Sequence, residues 1–252
     1  MSRETIRVEI AADGIATVTL DRPGKHHAMN AAMIAELTEA IGALGADPAV
    51  RAVVLASTGP TFCAGGDLDW MRAQAAADRA GKIAEAARLS AMFAALDALP
   101  KPLIARVQGN VYGGGLGLLA VSDLAVAAEG ISLALTETRL GLIPATIGPF
   151  VVRRMGAGMA RQVFFSGAAF GTDFALRSGL IHETCPADRL DDRVRRQAEA
   201  VLTTAPGAVA AAKALCRALG QDEAADIERS IAALADRWET DEAQERIRAF
   251  LG

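Results

Sequence analysis

An α/β layer fold with a helical carboxyl-terminal part is predicted by three features of the sequence. Strand-like apolar runs alternate with helix-period segments over roughly the first 185 residues, the pattern of helices layered on a mostly parallel sheet. The run "VRAVVLAS" is almost wholly apolar, as a strand buried on both faces must be. From about Asp188 the helical pattern continues to Phe250. Apolar residues make up 52% of the 252, enough to bury a sizeable core and too many for a disordered chain.

Each element has a local reason. "TIRVEIAADGIATVTL" alternates in two strands, Ile6–Ile10 and Ile15–Leu20, joined at Asp13-Gly14, a hairpin turn pair. After the loop "DRPGKHHAM", Asn30 is placed to cap a helix with Met33, Ile34, Leu37, Ala40, Ile41 and Leu44 on one face. The strand Val50–Ala56 leads through "TGPTFCAGGDL" to a short helix at Asp67–Arg72. A long helix follows from about Asp78 to Leu99, stopped by Pro100 and Pro102. The strand Leu103–Val107 precedes "GNVYGGGLGLLAV", and "DLAVAAE" and "ISLAL" read as two short strands. "GPFVVRRMG" and "GMARQVFFSG" read as helices closed by Gly156 and Gly167, and Thr172 as the cap of "DFALRSG", which stops at Gly179.

Composition excludes several classes. The net charge of -4 has no single-sign run, so neither nucleic acid nor an anionic membrane surface is an expected partner. Cys63, Cys185 and Cys216 are far apart and form no CxxC pair, which fits a reducing cytoplasm. The start shows no signal-peptide apolar region, no run reaches membrane-spanning length, and metal ligands are not clustered.

The chemistry concentrates in two glycine loops. "TFCAGGDLDW" and "VYGGGLGLL" each follow a buried strand and open a helix. Glycine there frees backbone N–H groups and lets a ligand approach, and the helix amino terminus adds partial positive charge. Two such loops on neighbouring strands could aim two donors at one oxygen, an oxyanion hole. The plain alternative is tight strand–helix packing. A second rival is dinucleotide binding, since Gly115-Leu116-Gly117-Leu118-Leu119-Ala120 matches G-x-G-x-x-A and Glu137 lies twenty residues on. It is disfavoured because "QGNVY" separates strand from glycines, where a dinucleotide turn is tight.

An oxyanion hole needs a base or nucleophile. His26, His27 and His182 show no triad order, and Cys63 reads as a small packed hydrophobe. Glu137, between "ISLAL" and "LGLIP", is set in apolar surroundings that would desolvate it, raise its pKa and suit it to proton transfer. Pairing with Arg139 or another arginine is the alternative. Asp123 in "VSDLAV" reads as a structural turn residue.

"FCAGGDL", "KPLIARVQGNVYGGGLGLLAVSDLAVA" and "TETRLGLIPATIGPFVVRRMG" together resemble the enoyl-CoA hydratase/isomerase family, the crotonases, over nearly the whole chain. The resemblance implies a ClpP-like spiral of ββα units carrying the acyl-CoA site over residues 1–190. It also implies a helical trimerisation region over 191–252, and a homotrimer or homohexamer. The substrate would be an acyl-CoA thioester, with no separate cofactor and no metal. Ala64 and Gly114 would supply the oxyanion N–H groups and Glu137 the base. Lys25, His26 and Ala28 would lie along the CoA, His27 beside them, and Gly65, Gly66, Asp67, Leu68, Gly113 and Gly117 would complete substrate binding.

One position departs from the family's two-glutamate hydratases: the acid three residues after the oxyanion glycine is Gly117 here. The pattern looks closer to bacterial methylglutaconyl-CoA hydratases of leucine breakdown and to isohexenylglutaconyl-CoA hydratases. Gly117 would leave room for a branched acyl group, and Arg72 is a candidate partner for its carboxylate. The alternatives are a 3-enoyl-CoA isomerase using one base, and a non-catalytic acyl-CoA-binding or scaffold protein. The amphipathic tail "IERSIAALADRW" should pack on the spiral and on neighbouring subunits.

Overall fold

The hairpin forms at the predicted residues. Strands β1 (Ile6–Ile10) and β2 (Ile15–Leu20) pair antiparallel, with Asp13 Oδ1 accepting the Ile15 N–H at 3.0 Å and Gly14 at φ 86°. The computed structural model describes residues 3–218 and 223–252.

Beyond the hairpin and its helix, three successive turns of the chain each give one strand to each of two sheets and then a helix. β3 (Ala52–Ala56), β5 (Leu103–Val107) and β7 (Leu124–Ala128) enter the larger sheet. Their successors β4 (Thr61–Cys63), β6 (Asn110–Tyr112) and β8 (Ser132–Ala134) enter the smaller one. Adding β9 (Phe170–Gly171) and β10 (Glu183–Cys185), the orders are β1-β2-β3-β5-β7-β10 and β4-β6-β8-β9. All neighbours are parallel except β1 with β2 and β8 with β9. Every residue of β3 is buried, which explains its unbroken apolar run.

Helix α1 (Ala31–Ala46) is capped by Asn30 Oδ1, which accepts the Met33 N–H at 2.9 Å, and it buries the six residues expected from its periodicity. Helices α2 (Leu68–Ala76) and α3 (Arg79–Ala98) follow β4, and α4 (Gly114–Val121) follows β6. After β8 come a 3-10 turn, Glu137–Leu140, and α5 (Gly148–Ser166), which kinks at Gly156 and ends at the left-handed Gly167. At α6 (Thr172–Arg177) the cap residue is Gly171. Thr172 is already the first helical residue and makes no side-chain cap.

The carboxyl-terminal part comprises α7 (Leu190–Ala200), α8 (Pro206–Ala218), α9 (Glu223–Trp238) and α10 (Asp241–Leu251). α7 lies on β3, β5 and β7, and Leu190, Val194 and Ala198 join the main core. The core therefore extends through α7, past the expected limit at residue 190. α9 packs on α3 and α5 of its own chain. α10 presses on the 3-10 turn through a second cluster formed by Leu142, Trp238, Ala243 and Ile247.

Gly141 ends that turn in the left-handed region at φ 73°, and a methyl group there would lie 3.0 Å from Cα of Ala243. Gly141→Ala should lower stability by about 1–3 kcal/mol through overpacking alone, read as a lower urea midpoint at unchanged slope. Unchanged stability would show that α10 does not clamp the turn.

Candidate active site

The two glycine loops and the 3-10 turn converge. A methyl group built on Gly65 would lie 3.6 Å from the Gly114 nitrogen, and one on Gly113 would lie 3.4 Å from Oε1 of Glu137. A pocket of about 110 Å³ opens over Gly66, Gly114 and Glu137, walled mainly by apolar side chains such as Met29, Trp70, Leu89 and Leu142.

Backbone hydrogen bonds decide which donors remain for a ligand. Residues 26–29 run as a strap along the first loop. The Ala64 N–H donates to the His26 carbonyl at 3.0 Å, Met29 N–H to the Gly65 carbonyl at 2.7 Å, and Asp67 N–H to the Met29 carbonyl at 2.9 Å. Ala64 is therefore not an oxyanion donor, because its N–H is already committed. Gly65 N–H turns to the Cys63 sulfur. Gly66 N–H has no acceptor among the described residues, and Gly66 lines the pocket. In the second loop Gly113 N–H donates to the Ala134 carbonyl at 3.0 Å. Gly114 is the first residue of α4, where an N–H lacks an intrahelical partner. Among the described residues, the loop N–H groups left free to face a ligand are those of Gly66 and Gly114.

Glu137 is half-buried as a residue, but its Oε2 is fully buried and has no hydrogen-bond partner among the described residues. Thr138 Oγ1 beside it is in the same condition. Buried polar atoms are rarely left unpaired without a use. Burial pushes the Glu137 carboxyl up to about 7, against a smaller opposing effect of its own backbone N–H. The turn is fixed by Leu142 N–H donating to the Glu137 carbonyl at 3.0 Å.

Other expected site residues have different tasks. Asp67 is buried and caps α2, accepting the N–H groups of Asp69 and Trp70 at 2.9 and 3.2 Å, and pairs with Arg22 at 2.9 Å. Burial works to raise its pKa, but the Trp70 N–H, the Arg22 guanidinium and the Asp69 N–H together hold the carboxyl below its ordinary value. It ties the loop down and is not free to bind substrate. Gly117 is buried beneath the site: a methyl group there would meet Ile147 Cγ2 at 2.5 Å and Phe93 at 2.8 Å. It neither lines the pocket nor leaves room for a branched acyl group. His27 is buried, its Nδ1 accepting the Arg22 N–H at 3.1 Å and its Nε2 against the Thr58 carbonyl at 2.9 Å; it cannot reach a nucleotide. Ala28 is also buried, and its carbonyl accepts from the Arg22 guanidinium.

Lys25 and His26 are exposed beside the strap, Lys25 paired with Asp69 at 3.5 Å and His26 Nδ1 3.1 Å from Thr61 Oγ1. Leu68 is exposed next to them. Arg72 pairs with Asp69 and donates to the Leu251 carbonyl, each at 2.9 Å, and does not line the pocket. Cys63 is buried, which pushes its thiol up to about 12 and leaves it no nucleophile. Asp123 is structural, accepting from Leu103 N–H at 2.7 Å and Lys213 Nζ at 2.6 Å. Lys82, Leu234 and Trp238 line the pocket as well. Nothing near the glycine loops in the sequence signals them.

A spiral of ββα turns carrying two free N–H groups opposite a desolvated glutamate defines an acyl-thioester enzyme of the crotonase class. The sequence profile of the enoyl-CoA hydratase/isomerase family matches residues 11–252, and the chain belongs to that family. It is 29% identical to a crotonyl-CoA hydratase of Syntrophomonas wolfei, covering 100% of this chain and 96% of the relative. It is 28% identical to a short-chain-enoyl-CoA hydratase of Clostridium acetobutylicum, covering 94% and 91%. The crystal structure of an enoyl-CoA hydratase from Mycobacterium avium superposes with a TM-score of 0.88 at 32% identity, covering 98% of this chain and 96% of that one.

Because the Glu137 pKa is raised in the folded state, its protonated form is favoured by folding. That stabilisation is complete at low pH and is lost as pH rises from the ordinary glutamate value through about 7. The loss amounts to about 3 kcal/mol. Glu137→Gln should match the wild type in stability near pH 4 and exceed it by up to about 3 kcal/mol at pH 8, measured by urea unfolding across pH. A constant difference would show that Glu137 is not desolvated.

Proposed function

We propose that the protein hydrates 2-enoyl-CoA thioesters with Glu137 as its single base. The observation that carries this is the unpartnered Oε2 of Glu137 in the pocket that also exposes Gly66 and Gly114. The thioester oxygen lies between the two N–H groups, which stabilise the enolate. Such a donor contributes about 2.7–4 kcal/mol at the transition state. Glu137 takes a proton from water as its oxygen bonds to C3. The C2=C3 π electrons move into the enolate, and the proton returns from Glu137 to C2. One carboxylate performs both transfers when they occur on one face. No cofactor enters beyond the CoA of the substrate, and Lys25 and His26 lie at the surface where the CoA nucleotide would pass.

For the acyl group the reading is a 3-methylglutaconyl-type ester. It rests on the sequence pattern around "GGGLGLLAVSDLAVA" and "DLDWMR", not on space beside Gly117. Assembly is as a trimer or paired trimers, supported by exposed Phe165, Leu215 and Phe250 on α5, α8 and α10. Light scattering at micromolar concentration should give a trimer or hexamer mass, and a stable monomer would refute the assembly.

Incubation with the 2-enoyl ester in ¹⁸O-water should add one labelled oxygen and abolish the conjugated absorbance. kcat/KM should rise with pH through about 7 as Glu137 ionises, and Glu137→Gln should lower kcat about 10²–10⁴-fold. Isomerisation is the second reading, favoured by the absence of room for a second acid at Gly117. Conversion of a 3-enoyl-CoA to the 2-enoyl ester, with no hydration of any 2-enoyl-CoA tested, would replace the first reading with the second.

A further inference from the structure

Lys82 stands in the first turn of α3, is 7% exposed and lines the pocket. The stem of Lys82 is buried, its Nζ is not among the fully buried atoms that lack a partner, and no carboxylate pairs with it among the described residues. The two acids at helical spacing from it are committed. Asp78 Oδ1 accepts the Gly81 N–H at 2.8 Å and caps the helix. Glu85 accepts from Trp70 Nε1 at 3.2 Å and pairs with Arg88. The Lys82 Nζ lies over the Trp238 ring, 5.9 Å from its centroid, and Trp238 lines the same pocket. Such a contact at the edge of its range steers an ammonium without replacing a counter-ion.

Its position along α3 shows what the charge could meet. Phe93 packs against Gly114 and Gly117 below the oxyanion site. Leu89 and Ala86 line the pocket further along, and Lys82 follows one turn on. From Phe93 to Lys82 the helix rises about 16 Å, and its side chains lean toward the amino terminus, away from the reacting centre. Glu137 owes its raised pKa to burial, with no contribution from the Lys82 charge. The lysine therefore serves the far end of the acyl pocket and not the proton transfer. Gln74, buried on α2, lines the pocket as an additional amide.

We propose that Lys82 is a specificity-determining residue that binds a carboxylate at the distal end of an acyl chain longer than crotonyl. This rests on the acyl-CoA reading above, and it moves the acid-binding role from Arg72, which Asp69 and the Leu251 carbonyl occupy, to Lys82.

The test uses saturated thioesters, which cannot be hydrated, so that recognition is read apart from catalysis. Adipyl-CoA and suberyl-CoA are compared with hexanoyl-CoA and octanoyl-CoA by titration calorimetry on the full-length protein. The wild type should bind the carboxylated member of at least one pair about 30-fold or more tightly. Lys82→Met should abolish that preference, read as the ratio within each pair on the same variant, and Lys82→Arg should keep it. Lys82→Gln provides the same comparison if the methionine variant does not fold. Equal affinity within both pairs, or a preference that survives in Lys82→Met, overturns the role of Lys82 and leaves the hydratase reading intact. Failure of all four esters to bind overturns the acyl-CoA reading, and the proposal with it.

Discussion

A carboxylate oxygen kept buried and unbonded is the constraint on which this structure depends. Any N–H or hydroxyl donating to Oε2 of Glu137 would stabilise the ionised form and pull its pKa down, leaving a poor proton acceptor. The fold must therefore hold Glu137 without touching that oxygen. It does so through the main chain. The Glu137 carbonyl accepts from Leu142, Gly141 turns left-handed directly after the 3-10 turn, and α10 closes over it at Ala243. The last helix of the chain is thus part of what holds the Glu137 turn.

The same accounting applies to the two donors. An N–H that a ligand is to use must be refused every internal acceptor, though the chain around it is densely hydrogen-bonded. The strap at residues 26–29 achieves this by pairing with the first loop at alternate positions. It takes the N–H groups of Ala64 and Asp67 and leaves that of Gly66. The Arg22–Asp67 pair and the Arg22 bond to the Ala28 carbonyl lock the strap to the loop. The strap thereby sets which glycine faces the pocket, in addition to passing beside the surface where Lys25 and His26 lie.

How much was legible in the sequence follows from the range of each interaction. Asn30 and the six apolar positions of α1 were readable because a cap and a 3.6-residue period are local. The two glycine loops and Glu137 were readable because strand, glycine run and apolar flanks adjoin one another. The choice of Ala64 over Gly66 failed because it turns on a hydrogen bond to His26, made 38 residues earlier in the chain. Thr172 failed at one residue's offset, where Gly171 holds the cap position. Gly117 looked like space from sequence, yet Phe93 and Ile147 fill it from two other elements. Lys82 and Trp238 reach the pocket from α3 and α9, and no local pattern marks either.

The filled space at Gly117 and the raised pKa of Glu137 belong together. With two carboxylates, one can accept a proton while the other donates, and their pKa values can differ. With one, the same group must take a proton from water and then give one to C2 at a single pH. That is most efficient when its pKa lies near the working pH. A glutamate at its ordinary value would accept a proton too weakly near neutrality, and a strongly basic one would be slow to release it. Burial, beside a pocket that Met29, Leu142 and Ile143 also line, pushes Glu137 up to about 7, between those limits. A position that admits no second acid and a remaining glutamate tuned by its own burial are each consistent with single-base chemistry.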